Sequence, residues 1–281
     1  MFEKNLLSGK RILITGGGSG LGAAMGRRLV ELGAELIICG RRLELLEATA
    51  SQMRSELGGN VAVARCDIRD GAEVDAMMDA IWREAPIDVL INNAAATFIA
   101  QTEQMSFRAA DAILAPTLHG TMYCTLAAGK RWIETPHKGV VLSILSTSTI
   151  TGRAFTVPSA MAKSAVLAMT RSLAVEWGSK GVRLVAIAPG AFPTAGASGQ
   201  LRPEGREPGW ASRNPLGRAG KHGELANLAS FLISDAAGYI NGEMVVQDGG
   251  AHLRSSGAED LLQWTDAQWE QHRASRAKGG G

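Results

Sequence analysis

The stretch Ile12-Leu13-Ile14-Thr15-Gly16-Gly17-Gly18-Ser19-Gly20-Leu21-Gly22 decides the fold, because a continuous apolar segment runs straight into a glycine-rich turn and then into a helical pattern. The backbone of such a turn can approach a pyrophosphate closely. The N–H groups and positive partial charge of the following helix end favour an anion. Glycines also serve ordinary tight turns, so the meaning here comes from the order of strand, turn, helix and second strand. In this reading Gly16, Gly18, Ser19, Gly20, Leu21 and Gly22 form a dinucleotide-binding turn.

Working outward, short apolar runs alternate with longer helical patterns, the signature of βαβ units and a parallel sheet covered on both faces. The runs predict strands over Arg11 to Thr15, Glu35 to Cys39, Val61 to Arg65, Val89 to Asn92, Gly139 to Leu145, Arg183 to Ala188 and Met244 to Gln247. Apolar residues recurring at three or four predict helices over Leu21 to Leu32, Leu43 to Leu57, Ala72 to Arg83, Phe107 to Glu134, Ser159 to Trp177 and Gly223 to Ile233. The expected architecture is α/β: one Rossmann-fold domain over residues 1–250, with a doubly wound seven-stranded parallel sheet. Ala191 to Leu216 is rich in Gly, Pro, Ser and Ala and reads as a mobile flap. Residues 251–281 read as a polar extension, partly helical or disordered, with one amphipathic piece from Asp260 to His272 carrying Leu261, Leu262, Trp264 and Trp269. That piece could pack on the body or a neighbouring subunit, or cover a substrate pocket.

Composition narrows the partners. With 29 basic and 27 acidic residues among 281, the net charge of +2 is too balanced for a footprint on nucleic acid or anionic lipid. No apolar run approaches a membrane span, and no export signal precedes the first strand. The three cysteines, Cys39, Cys66 and Cys124, form no CxxC pair and no ligand cluster with histidine. Neither a disulfide framework nor a metal site is expected, and a cytoplasmic location fits.

An acid at the end of the second strand would bond the adenosine ribose hydroxyls, whereas arginine would pair with a 2′-phosphate. The chain reads Cys39-Gly40-Arg41-Arg42 there, which favours NADP(H) held by Arg41 and Arg42. Both arginines could instead be solvated residues at a helix start.

At this point roughly Leu7 to Ala251 resembles a short-chain dehydrogenase/reductase. The resemblance rests on the Thr15 to Gly22 turn, Asp67-Ile68, Asn92-Asn93-Ala94-Ala95, Lys163, Pro189-Gly190 with Thr194, Asn241-Gly242 and Asp248-Gly249-Gly250. It implies that Asp67 and Ile68 flank the adenine. Asn93, Ala94 and Ala95 would line the cleft, Pro189, Gly190, Ala191 and Thr194 would meet the nicotinamide carboxamide, and Lys163 would hold the nicotinamide ribose.

The usual members carry a tyrosine four positions before the lysine, where the cation lowers the phenol pKa for proton exchange with an alkoxide. Here that position is Ser159, in Val157-Pro158-Ser159-Ala160-Met161-Ala162-Lys163. Serine is a poor acid for an alkoxide. The chain is similar to the branch of 2,4-dienoyl-CoA and enoyl-CoA reductases that carries this serine, also in Thr194-Ala195-Gly196-Ala197, Pro215-Leu216-Gly217-Arg218 and Glu224-Leu225-Ala226-Asn227-Leu228-Ala229. Hydride addition to a conjugated thioester leaves an enolate, which needs oxyanion donors and a proton delivered to carbon by water. The branch's auxiliary tyrosine and asparagine correspond to Ser148 and Thr97, and Ser146 takes the place of the usual catalytic serine.

The expected catalytic set is therefore Ser146, Ser148, Ser159 and Lys163, acting on an acyl-CoA thioester or related small conjugated carbonyl. Carbonyl chemistry through a relayed water and a cofactor-binding sensor without catalysis stay open as alternatives. Ser159 follows Pro158 near a helix start and could also cap backbone donors. The five histidines show no metal spacing, and Trp82, Trp132 and Trp177 read as packing. Apolar residues on several sides of the two long helices predict a homo-oligomer, a tetramer by the resemblance.

Overall fold

The protein is described by a computed structural model over residues 3–135, 137–196, 214–254 and 259–278. β1 (Arg11–Thr15), β2 (Glu35–Gly40), β3 (Val61–Arg65), β4 (Val89–Asn92), β5 (Gly139–Ile144), β6 (Val182–Pro189) and β7 (Met244–Gln247) form one sheet in the order β3-β2-β1-β4-β5-β6-β7. Every pairing is parallel, with Ile12 beside both Leu36 and Val89 and Asn92 beside Ser143. The side chains of β1 and β4 are buried along their whole length, so these strands carry no polar alternation to read.

Helices cover both faces. α1 (Gly20–Glu31) and α2 (Leu43–Leu57) turn Met25, Leu29, Leu46 and Met53 into one core layer with Ile12, Ile14 and Ile38. The helix His222–Ile233, here α8, adds Leu225, Leu232 and Ile233. On the other face α3 (Gly71–Glu84) and α5 (Gly120–Glu134) pack Val74, Met78 and Trp132 against Leu13, Leu90 and Val141. Asp70 caps α3 by accepting from the Ala72 and Glu73 amides. α7 (Val157–Gly178) continues this layer with Ala174 and Trp177, and Val166 and Leu167 meet Leu145 and Ala186. Trp132 and Trp177 are core residues, as their spacing suggests, and the Trp132 indole donates to Ile87 O at 2.6 Å. Strand order reverses between β1 and β4, and the crevice beyond their carboxyl ends is where an open sheet of this kind binds its ligand.

The structure departs from the sequence reading at particular places. The helix expected over Phe107 to Glu134 is α4 (Phe107–Leu114), a wide π turn at Ala115–His119, and α5. Pro116 has no N–H to give a regular helical bond, and the wide turn carries the chain past it. A short helix, α6 (Ser148–Thr151), follows β5 where no element was expected. α7 begins two residues before Ser159, with Thr156 at the N-cap position, so Ser159 sits inside the first turn and is not the cap. The amphipathic piece of the tail divides into a 3-10 turn at Glu259–Gln263 and α9 (Asp266–Lys278), where the Thr265 hydroxyl and the Gln268 side chain cap each other's amides. Of the expected flap, residues 197–213 lie outside the described residues.

Among the described residues no helix is long and apolar enough to cross a membrane, and no cluster of three or more His, Cys, Asp or Glu could hold a metal ion.

Candidate nucleotide and substrate site

The crevice starts at the turn after β1. Gly16 adopts a φ of +67°, and its amide donates to Cys39 O at 2.8 Å, which fixes the chain as it leaves the sheet. A Cβ on Gly22 would lie 2.5 Å from Gly16 O and 2.6 Å from Asn93 Nδ2, so only glycine allows the helix to begin this close to the turn. Ser19 occupies the N-cap position in extended geometry without a side-chain capping bond, and the first turn of α1 has no acid. That helix end therefore suits an anion. Thr49 Oγ1 donates to Gly18 O at 2.9 Å, tying the outer rim of the turn to α2.

The β4 exit holds the turn from the other side. Thr15 Oγ1 accepts from the Asn93 and Ala94 amides at 3.0 and 3.1 Å. Asn93 Nδ2 donates to Thr15 O at 3.0 Å and Gly16 O at 3.2 Å. Asn93 thus acts by bracing the glycine turn. Asn92 Nδ2 donates to Thr125 Oγ1, and Ala96 is bound through both its N–H and its C=O by Thr117 Oγ1.

Beyond β2 Arg41 and Arg42 are exposed, and Arg42 is the N-cap residue of α2. The Asp67 carboxylate accepts from Arg69 Nε and Nη2, and this bonding, with the nearby Arg41 charge, holds its pKa below the usual carboxylate value. Ile68 is buried and would meet any side chain added at Gly120.

Lys163 lies one turn beyond Ser159 on α7, buried, with Nζ donating to Ile144 O at 2.5 Å. Burial alone pulls its pKa down to about 8. The bond sets the ammonium at the carboxyl end of β5, two residues before Ser146. There Ser146 Oγ accepts the Ser148 amide at 3.3 Å, and Ser146 O accepts from Thr149 N and Oγ1. Ser148 is buried, whereas Ser146, Ser159 and Thr97 keep part of their surface open. The expected hydroxyls and the lysine thus lie at the exits of β4 and β5 and on the first two turns of α7.

At the far end Pro189 lies beside Gln247 in the β6–β7 register, and the Gly190 amide donates to Gln247 O at 3.0 Å. A Cβ on Gly190 would stand 2.5 Å from Asp248 Cβ, so this glycine serves a close approach of two strand exits. Ala191 O accepts the Gly220 amide, and Thr194 packs over Gly20. Asp248 accepts from the Gly250 amide and from both the amide and Nδ1 of His252, while Asn214 Nδ2 donates to Asp248 O. The sequence reading assigned nothing to Asn214, His252 or Thr117. For Thr117 a signal existed in the threonines at 117, 121 and 125, one turn apart on one helix face.

The donor set fits a nicotinamide dinucleotide. It has a cradle that a Cβ would fill, a helix end without an acid, cations past β2 and a buried ammonium across the crevice.

Residues 16–252 match the protein family described as Enoyl-(Acyl carrier protein) reductase. The chain is 41% identical over 247 residues to a probable 2,4-dienoyl-CoA reductase of Bacillus subtilis, covering 87% of this chain and 97% of that one. Among solved structures, a short chain dehydrogenase from Bacillus anthracis superposes with a TM-score of 0.80 at 38% identity, covering 88% of this chain and 98% of the other. A gluconate 5-dehydrogenase from Burkholderia cenocepacia, in complex with NADP and tartrate, gives 0.82 at 29% identity, with 90% and 99% covered. Sheet order, glycine turn and these likenesses agree, and the chain belongs to the short-chain dehydrogenase/reductase family, as an oxidoreductase that uses a nicotinamide cofactor.

Proposed function

We propose that the protein is an NADPH-dependent reductase of a conjugated C=C bond in an enoyl- or dienoyl-CoA-like thioester. The observation that carries this reading is a buried ammonium, Lys163, bonded to the last residue of β5, with serine one turn before it on α7 where a phenol would stand. The relative named as a probable 2,4-dienoyl-CoA reductase supports the substrate class.

NADPH would supply the hydride. The phosphates would be held by the Gly16 to Gly22 turn, and Arg41 and Arg42 would pair with the 2′-phosphate. Asp67 and Ile68 would flank the adenine. Asn93, Ala94 and Ala95 would shape the cleft, and Pro189, Gly190, Ala191 and Thr194 would face the carboxamide. Lys163 would bond the nicotinamide ribose and place positive charge near the thioester oxygen. Ser146, Ser148, Ser159 and Thr97 would donate to that oxygen as the π electrons shift onto it, and water would protonate carbon. None of these serine and threonine hydroxyls has the acidity of a phenol toward an alkoxide, which is why a conjugated thioester is preferred over a ketone.

We further propose residues 1–250 as the catalytic domain, a cytoplasmic location, and a homotetramer. Phe107, Met161 and Val175 are exposed apolar residues on α4 and α7 that a partner copy would cover. The test of function is NADPH oxidation by the purified protein with 2,4-hexadienoyl-CoA, crotonyl-CoA and a panel of simple ketones. Turnover of the thioesters alone is expected, and brisk ketone reduction without thioester turnover would overturn the proposal.

A further inference from the structure

The strands β2 and β3 end side by side. Gly40, the last residue of β2, is paired with Arg65, the last residue of β3, and the Cys66 amide donates to Gly40 O at 3.0 Å. Paired residues of neighbouring strands point to the same face of a sheet, so Arg65 leaves β3 on the face of Gly40. Gly40 puts no side chain beside it, and a Cβ there would meet only Leu46, at 3.8 Å. The open space next to Arg65 adjoins Arg41 and Arg42, which directly follow Gly40.

Three guanidinium groups therefore issue from two adjacent strand ends. All three are exposed, and among the described residues none of their side chains makes a hydrogen bond or an ion pair. Other arginines face acids: Arg27 faces Glu56, Arg131 faces Asp79 and Arg218 faces Glu224. Two acids near these strand ends are already engaged. Asp67 accepts from Arg69 Nε, and Glu73, which borders one groove with Arg65, accepts the Asp67 amide at 2.9 Å. Like charges left without a counter-ion repel one another, and a dianion set among them turns that repulsion into attraction.

We infer that Arg65 is a third side chain of the 2′-phosphate subsite, closing it from β3 opposite Arg41 and Arg42. The inference rests on the proposed preference for NADPH. A phosphate monoester carries three acceptor oxygens, so cations from two strands can bond different oxygens of one group. NADH offers nothing at that point and gains nothing from Arg65.

Calorimetric titration of the wild type, Arg65→Gln and Arg65→Lys with NADPH and NADH tests this. Arg65→Gln is expected to weaken NADPH by about 5- to 20-fold and to leave NADH within about twofold, and Arg65→Lys should recover part of the loss. Binding of 2′,5′-ADP should weaken with it and binding of 5′-AMP should not, which confines the effect to the phosphate. Without nucleotide the Tm of Arg65→Gln should equal or exceed that of the wild type, because an unpaired like charge has been removed.

Unchanged NADPH affinity in Arg65→Gln would overturn the inference. So would equal losses for NADPH and NADH, which would place Arg65 at the adenine or in the fold. A wild type that binds NADH as tightly as NADPH overturns the cofactor reading, and the subsite falls with it. A wild type that prefers NADPH while Arg65→Gln keeps the whole preference leaves the cofactor reading standing and overturns the role of Arg65 alone.

Discussion

Lys163 Nζ donates to the carbonyl oxygen of Ile144 at 2.5 Å, tying the second turn of α7 to the end of β5 and holding a buried charge at the crevice. Burial pulls the lysine from its ordinary 10.5 to about 8. Above that value the cofactor-free protein loses the ammonium that would meet the ribose. The kcat/KM for NADPH is therefore expected to fall above about pH 8, approaching tenfold per unit. Steady-state rates between pH 6 and about 9.5 check this, and a flat profile would remove the ammonium from the site.

The same shift gives a stability prediction of defined sign. Below about pH 8 both folded and unfolded lysine are charged, and the folded state bears the full cost of burying the charge. Between about 8 and 10.5 the unfolded chain binds more protons, so stability gains as pH rises. Lys163→Met should therefore be more stable than wild type at pH 7, by about 1–2 kcal/mol after the loss of the Ile144 bond, with the advantage shrinking towards about pH 9.5. Urea unfolding at the two pH values measures the difference.

The glycine turn gives a packing prediction. A methyl at position 22 would stand 2.5 Å from Gly16 O, so Gly22→Ala must push the helix away from the turn. At least about a tenfold loss of NADPH affinity is expected, with a lower Tm. Calorimetric titration and thermal unfolding report both.

Arg41 and Arg42 bear on cofactor choice. Replacing both with serine should cost on the order of 1–3 kcal/mol of NADPH binding and leave NADH nearly unchanged, because only the former carries a 2′-phosphate. Equal losses for the two nucleotides would return the arginines to a solvated role.

How much of this was legible beforehand differs element by element. The buried runs around Leu13 and Ile91 and the turn that follows the first announced a parallel sheet and its binding end, because strands enclosed on both faces read as continuous apolar segments. The motif singled out Lys163 as a candidate, and its burial and bond to Ile144 emerged only with the fold, since the carbonyl belongs to a strand 19 residues earlier. The π turn was missed because Pro116 interrupts a pattern whose apolar spacing still runs on as a helix. Asp67 was expected to meet adenine, and its bonding to Arg69 depends on a local turn that periodicity does not encode. The two bonds of Thr117 to Ala96 join residues 21 apart across a loop, a geometry that appears only once the fold is formed.

Where the hydride lands tests the central claim most directly. The protein is incubated with deuteride-labelled NADPH and an equal mixture of 2,4-hexadienoyl-CoA and a simple ketone, and the products are examined by mass spectrometry. The label is predicted on a carbon of a reduced thioester, with the ketone recovered unchanged. Label in the alcohol derived from the ketone, with the thioester untouched, would contradict the account.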